Sequence, residues 1–358
     1  MAPTPDNHDH DDLLEGKGLH NGRDDKEILF SIVVPVYNRP REVSDLLESL
    51  AAQTDSGFEA VIVEDGSPEP CGDVCRRFAD RIAVSYLFKE NEGRSIARNY
   101  GMDHARGDFF IFVDSDCVLP PDYIANLRKA LRENPADCFG GPDAAHESFT
   151  DTQKAINYAM TSFLTTGGIR GGKVQLEKFV PRTFNMGFSR RVYEATGGFR
   201  EMFSEDIDMS TRIRLKGFSI ALYRAVKVYH KRRVNWRKFW RQVHVFGMSR
   251  ITLKLLYPDS LKIVHTAPTV FVVGCVVMVL LAVLLSWLWI IPLAVYLLAV
   301  WISAICSTRS LKIGTMAVWA SLIQLWGYGT GFIRAFIWKI LLRHGRDVQQ
   351  EIEMRKGK

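Results

Sequence analysis

From Thr266 to Thr308 the chain runs forty-three residues without one Asp, Glu, Lys or Arg. That length is too great for a single membrane-spanning helix and suits two, at about 20 residues each. The break between them falls in SWLWIIP, where Trp287, Trp289 and Pro292 suit a tight interfacial turn. After Arg309 and Lys312 comes a second apolar stretch, 313–333, which carries Gln324, Gly327, Gly329 and Gly331. It reads as a third span or as a re-entrant segment. Residues 263–338 are therefore expected to hold two to three transmembrane segments, with a basic tail over 339–358.

The charge pattern supports the same reading. The formal net charge is +6, yet 231–262 alone carries nine Lys and Arg against the single acid Asp259. Such a block favours an anionic surface, nucleic acid or lipid headgroups. Because uncharged spans follow it directly, lipid is the nearer polyanion and no nucleic acid is expected. Within the block, Trp236, Phe239 and Trp240 alternate with Arg237, Lys238 and Arg241. Over 233–262 this predicts a basic amphipathic helix in the membrane interface, or else a helix facing the core of the preceding domain. The positive-inside rule places the block and the Arg309/Lys312 loop in the cytoplasm. The expected location is the inner (cytoplasmic) membrane, multi-pass, with the preceding domain facing the cytoplasm. A full third span would export a tail with six Lys and Arg against three acids, which strains that rule. The six cysteines are scattered and complete no zinc site, so they read as reduced thiols. Residues 1–27 are polar and acidic without an apolar core, which predicts a disordered tail rather than a signal peptide.

Residues 28–232 alternate strand and helix patterns. ILFSIVVPVY is a near-continuous apolar run, as a parallel strand buried on both faces requires. Pro40 then opens a helix with Leu46, Leu47 and Leu50 on one side. FEAVIVEDGS, AVSYLFKEN and DFFIFVDSD read as further strands, and CGDVCRRFADRI and GRSIARNYGMDHAR as helices between them. This predicts an α/β fold with a mostly parallel central sheet. Ligands in such sheets bind beyond the carboxyl ends of the strands. The residues expected there are Tyr37, Asn38, Glu64, Asp65, Asp114 and Asp116, with acids dominant. Asp114 and Asp116, two apart on a strand, would share one face. Two like charges there suit a hard divalent cation, Mg²⁺ or Mn²⁺, held together with a substrate diphosphate.

PVYN at 35–38, VEDGS at 63–67, GRSIARNYG at 93–101 and VDSD at 113–116 occur in that order, followed by NMGFSR, GGF and SEDIDMSTRIRLKG at 204–217. Together, over about residues 30–230, they strongly resemble the family 2 glycosyltransferases. The resemblance implies the nucleotide-diphosphosugar-binding fold called GT-A, and inverting transfer of a sugar to an acceptor hydroxyl. It implies that Pro35, Tyr37 and Asn38 line the nucleotide pocket, and that Glu64 and Asp65 read base or ribose, against a turn-capping role for the same acids. It assigns Asp114 and Ser115 to the donor, Asp114 and Asp116 to the metal, and Asp206 to the general base. Arg94 and Arg98, four apart on one helix face, suit a phosphate or the strand-end acids. His230 would complete the metal shell. Glu205 and Asp208 are read as caps of the helix they begin.

The chain departs from the family's processive polymer synthases, which carry Gln-x-x-Arg-Trp before the membrane segments. Here RQVHVFG offers Gln242 but then Val245 and Phe246. That predicts a non-processive enzyme adding a sugar to a lipid-linked or other membrane-bound glycan acceptor, whose binding side falls over 142–184. A sugar nucleotidyltransferase would need a Gly-rich loop after the first strand, and PVYNRPRE has no Gly. The rival from another class is a membrane protein whose α/β domain senses a nucleotide sugar without catalysis.

Overall fold

The structure is a computed structural model. It describes residues 28–144, 150–167, 179–230 and 235–342, without the side chains of Asp143, Ala144 and His230. The expected tail at 1–27, most of the Gly-rich segment 167–173 and the tail beyond Leu342 lie outside these residues.

Among the described residues ten strands form two sheets: β1 Phe30–Val36, β2 Phe58–Asp65, β3 Val84–Lys89, β4 Phe109–Phe112, β5 Cys117–Val118, β6 Cys138–Gly140, β7 Asp143–Ala144, β8 Met186–Ser189, β9 Ile220–Leu222 and β10 Val228–His230. The larger sheet has the order β3-β2-β1-β4-β8-β6-β9. Strands β3, β2, β1 and β4 run parallel, and β8 alone opposes its neighbours. The apolar runs explain the core strands. Ile32, Val33, Val34, Val61, Ile62 and Val63 are all fully buried, alternate residues serving opposite faces. Pro35 lacks a ladder donor, and it sits where the β1–β4 pairing has already ended at Val33↔Phe112.

The helices are α1 Pro40–Ala51, α2 Gly72–Arg76, α3 Arg94–His104, α4 Tyr123–Glu133, α5 Asp151–Thr161, α6 Phe163–Thr166, α7 Arg190–Thr196, α8 Glu205–Leu215, α9 Trp236–Leu256, α10 Ala267–Leu284, α11 Ile291–Thr308 and α12 Leu311–Phe336. α1 starts at Pro40 as expected and buries Leu46, Leu47 and Leu50. α2 is shorter than its pattern suggested, because after Arg76 the backbone bonds tighten to three-residue turns, as from Phe78 N to Cys75 O. All six cysteines are free thiols.

Two segments, Ile263–Leu284 and Trp287–Thr308, each of 22 residues, are long and apolar enough to cross a membrane. At 1.5 Å per residue each reaches about 33 Å, against a hydrocarbon core of about 30 Å. Their side chains face outward: Val270, Val273, Leu280, Leu298 and Ile302 are exposed. α12 behaves differently. It is buried along much of its length, packing on α9, α5, α10 and α11.

α9 packs against protein along one side. Its apolar residues Phe239, Val243, Gly247, Ile251 and Leu253 are buried against protein. Close helix approach is the reason: a Cβ on Gly247 would lie 2.0 Å from Tyr328 O, and one on Gly331 2.0 Å from His244 O. Small residues of this kind let helix backbones touch. Arg237, Lys238 and Arg241 stay exposed on the other side. The α/β domain also lends a helix to this bundle. Ala155, Ile156 and Ala159 of α5 pack with Ala317 and Ala320 of α12, and Lys312 pairs with Asp151 at 2.8 Å.

Candidate active site

The carboxyl ends of β1, β2 and β4 and the first turns of α3 and α8 meet at one edge of the large sheet. Strand β4 stops at Phe112, its last residue paired with both β1 and β8. Asp114 and Asp116 therefore do not share a strand face. A turn closed by Cys117 N donating to Asp114 O at 3.0 Å brings them together instead.

Both acids are held by arginines. Arg39 Nη1 lies 2.7 Å from Asp116 Oδ2, and Arg98 Nη2 lies 3.0 Å from Asp114 Oδ1. Arg39 follows Asn38, which has a left-handed backbone at φ 56°. Asn38 N donates to Ser67 Oγ at 2.6 Å, and Ser67 in turn donates to Glu64. The other Glu64 oxygen accepts from Cys71 N at 2.6 Å. Glu64 thus ties the loops after β1 and β2 together from a fully buried position. Asp65, also buried, accepts from Lys89 Nζ, Glu92 N and Gly93 N at 2.9–3.0 Å. It fixes the loop that launches α3. Gly93 takes φ 103°, which a side chain would oppose. Tyr37 is exposed beside this edge, while Ser115 is buried in the turn.

α3 then delivers its two arginines to different depths. The Arg98 side chain is 1 % exposed and bridges Asp114 to Glu205, 3.2 Å from Glu205 Oε1. Arg94 is 55 % exposed and reaches Glu205 Oε2 at 2.8 Å. Glu205 is therefore more than a helix cap: it is the hub between two guanidinium groups. Burial pushes its carboxyl above the usual range, against the pull of Arg94 and Arg98. Burial also opposes the Arg94 charge, but Glu205, Asp114 and Asp206 outweigh it and raise its pKa.

Asp206 stands next on α8, its side chain 13 % exposed. Arg182 Nη1 lies 2.9 Å from its Oδ2, and Ile207 N donates to its Oδ1 at 2.8 Å. The residue before these acids, Ser204, has a left-handed backbone at φ 64°. For a residue with a Cβ such strain persists only where neighbours enforce it. Here Ser204 Oγ donates to Ser249 Oγ of α9 at 2.8 Å. Tyr257, just past α9, donates to the buried Asp208 at 2.7 Å.

His230 ends β10 opposite Cys117, one residue from Asp116; its side chain lies outside those described. Among the described residues no group of three or more His, Cys, Asp or Glu gathers as a metal cage. Two carboxylates at one turn do fit a hard cation that takes its other ligands from a diphosphate. Arg39, Arg182 and Ser249 were missed in the sequence. Their partners lie 77, 24 and 45 residues away in the chain, beyond any local pattern.

Residues 31–197 match the family model described as glycosyl transferase family 2. The chain is 37% identical over 115 residues to the glycosyltransferase GlyA of Streptococcus pneumoniae serotype 4, an alignment covering 32% of this chain and 16% of that protein. It is 34% identical over 113 residues to the uncharacterized glycosyltransferase EpsJ of Bacillus subtilis, covering 31% and 33%. The chain thus spans a third or less of the length of these relatives. Among solved structures, the mannosyltransferase PcManGT from Pyrobaculum calidifontis in complex with GDP-Man and Mn²⁺ shares the fold at a TM-score of 0.53 and 17% identity, covering 89% of this chain and 88% of that one. The sheet order, the acidic edge and the family match together make residues 31–197 a domain of the family 2 glycosyltransferases, with the GT-A fold.

Proposed function

We propose that this protein transfers a sugar, with inversion, from a nucleotide diphosphate sugar to a hydroxyl of a membrane-associated acceptor, one residue at a time. The carrying observation is the single edge where Asp114, Asp116, Arg94, Glu205 and Asp206 converge. Pro35, Tyr37, Asn38, Glu64 and Asp65 border the nucleotide side of that edge, the two acids chiefly by shaping its loops. Arg94, exposed and above Arg98, is the guanidinium placed to meet the diphosphate. Asp114 and Asp116 would hold Mg²⁺ or Mn²⁺, which supplies charge neutralisation to the leaving diphosphate. The mannosyltransferase of the same fold was solved with Mn²⁺, which agrees with that choice.

In the transfer, the acceptor oxygen forms a bond to the sugar C1 from the face opposite the diphosphate. The C1–O bond to the diphosphate breaks and the nucleoside diphosphate leaves with the electron pair. The acceptor proton goes to Asp206, whose carboxylate pairs with Arg182 before the acceptor arrives. The two apolar helices anchor the protein in the inner (cytoplasmic) membrane, multi-pass, with the α/β domain on the cytoplasmic face beside the basic side of α9.

A panel of nucleotide sugars tests this reading with the full chain in detergent. One donor should be hydrolysed slowly, in a manner dependent on Mn²⁺ or Mg²⁺, and stabilise the protein against heat. Stabilisation without turnover for every donor, with or without membrane extracts as acceptor, would favour a non-catalytic sensing domain instead.

A further inference from the structure

A cavity of about 330 Å³ lies where the α/β domain meets the C-terminal helices. That size is at the low end of small-molecule sites. One wall is the Asp206 loop, through Arg182, Ser204 and Ile207. The opposite wall is Val264, Pro268, Phe271 and Tyr296, from the two segments able to cross a membrane. α6 covers one side, tethered by Tyr296 Oη donating to Leu164 O at 2.9 Å. The cavity thus runs from Arg182, the partner of Asp206, to the apolar helices.

Its charge is one-sided. Arg182 and Arg250 line it, beside His265, whose Nδ1 accepts from Lys262 N at 3.1 Å, and among the described residues no carboxylate does. Arg250 has no carboxylate partner among the described residues. A cation kept in an apolar-lined space without an acid favours an anionic ligand, and a guanidinium fits phosphate geometry in particular. The remaining wall is aromatic and aliphatic, with Phe246, Phe271 and Leu325. A free sugar or a soluble glycan would leave that wall unmatched.

We propose that this cavity is the acceptor site, and that it takes a membrane lipid with an anionic phosphomonoester head. This rests on the glycosyltransferase reading above. The phosphate lies at Arg250 and Arg182, and the acyl or prenyl chain passes between Phe271 and Leu325 to the exposed valines of α10. Arg182 holds Asp206 in the ligand-free protein. A phosphate that draws this guanidinium away releases the base only when an acceptor is present.

The test uses the full chain in phosphatidylcholine nanodiscs, doped with phosphatidic acid or phosphatidylcholine carrying the same photoreactive acyl chain. After irradiation, adducts are mapped by mass spectrometry. The phosphatidic acid probe should label α6 and the start of α10, and excess inorganic phosphate should not remove that label. Arg250→Gln should lower it on the order of tenfold, the worth of a charge-assisted hydrogen bond. Leu325→Trp, at a position 5% exposed, should lower it by filling the space. Equal labelling by both probes over the outward faces of α10 and α11 in the wild-type protein would overturn the proposal, even if neither variant folds. Binding of nucleoside diphosphate with Mn²⁺, measured in parallel, separates the two claims. If it is present without cavity labelling, only the lipid site falls; labelling without it leaves the site and removes the transferase reading.

Discussion

Replacing Arg98 by Met probes the electrostatic centre of the edge. The Arg98 guanidinium is 1 % exposed, lies 3.2 Å from Glu205 and 3.0 Å from Asp114, and sits 5.6 Å from the Phe199 ring centre. Met fills similar volume but leaves Glu205, 3 % exposed, with Arg94 and Thr183 as remaining partners. Breaking a buried pair costs about 3–5 kcal/mol. Arg94 retains part of the interaction, so the lower end applies. At about 2–4 °C per kcal/mol for a domain of this size, the melting temperature should fall by roughly 6–12 °C at pH 8. The loss should depend on pH. Burial already raises the Glu205 carboxyl above its usual value, and losing Arg98 raises it further. The native state then binds more protons than the unfolded one, so stability falls as pH rises. The deficit should be small near the unfolded carboxyl value of about 4.3, grow above it, and be complete beyond the raised native value. Tryptophan-monitored melting of wild type and Arg98→Met at pH 5 and pH 8 reads both effects. Adding Glu205→Gln to the variant should restore much of the loss at pH 8. A drop below about 2 °C, or one equal at both pH values, would refute the role of Arg98 as the cation that makes Glu205 tolerable.

Three further perturbations follow from the packing. Asp55→Asn removes a two-point contact with Arg128 at 2.7 and 3.1 Å. Arg128 holds the Asp55 carboxyl below its usual value, so the stability it adds is present above the unfolded Asp value of about 3.9 and fades as pH falls through the depressed native value; the variant should denature at lower denaturant concentration than wild type at pH 7 and converge with it in acid. Ser249→Ala deletes the bond to the strained Ser204, and should lower kcat about two- to tenfold while leaving the donor KM near wild type. A parallel change in both constants would show that the contact does not position the Asp206 loop. Gly331→Val places a methyl group against His244 O, so α9 and α12 must separate; the melting temperature should fall by the equivalent of about 1–3 kcal/mol or more, and an unchanged melt would contradict the close helix crossing.

The parallel core was legible because its strands are nearly unbroken apolar runs, and the start of α1 because Pro40 has only one comfortable place in a helix. The two segments long and apolar enough to cross a membrane were legible from the absence of charge. What the sequence hid is long-range. Asp114 and Asp116 read as neighbours on a strand face, but β4 ends where its partners end, and a turn does the work. Their like charges are met in the fold by Arg39 and Arg98. Glu205 looked like a helix cap because acids at a first turn usually are; only its burial between Arg94 and Arg98 shows otherwise. α9 has the composition of an interfacial helix, and it is the glycines of α12, remote in sequence, that turn its apolar side inward. The fate of α5 was equally hidden, since its own pattern does not say which apolar surface it covers.

Asp206 is the proposed base at this edge, and Asp206→Asn separates proton transfer from donor binding. The substitution keeps shape and removes the capacity to take a proton, together with the charge that pairs with Arg182. With the donor identified by the hydrolysis panel, sugar transfer and Mn²⁺-dependent donor binding are measured on the same full-length preparation. Transfer should fall by at least about a hundredfold, the usual scale for a general base, with donor affinity within a few-fold of wild type. Transfer at near wild-type rate, or loss of donor binding in step with transfer, would contradict that role.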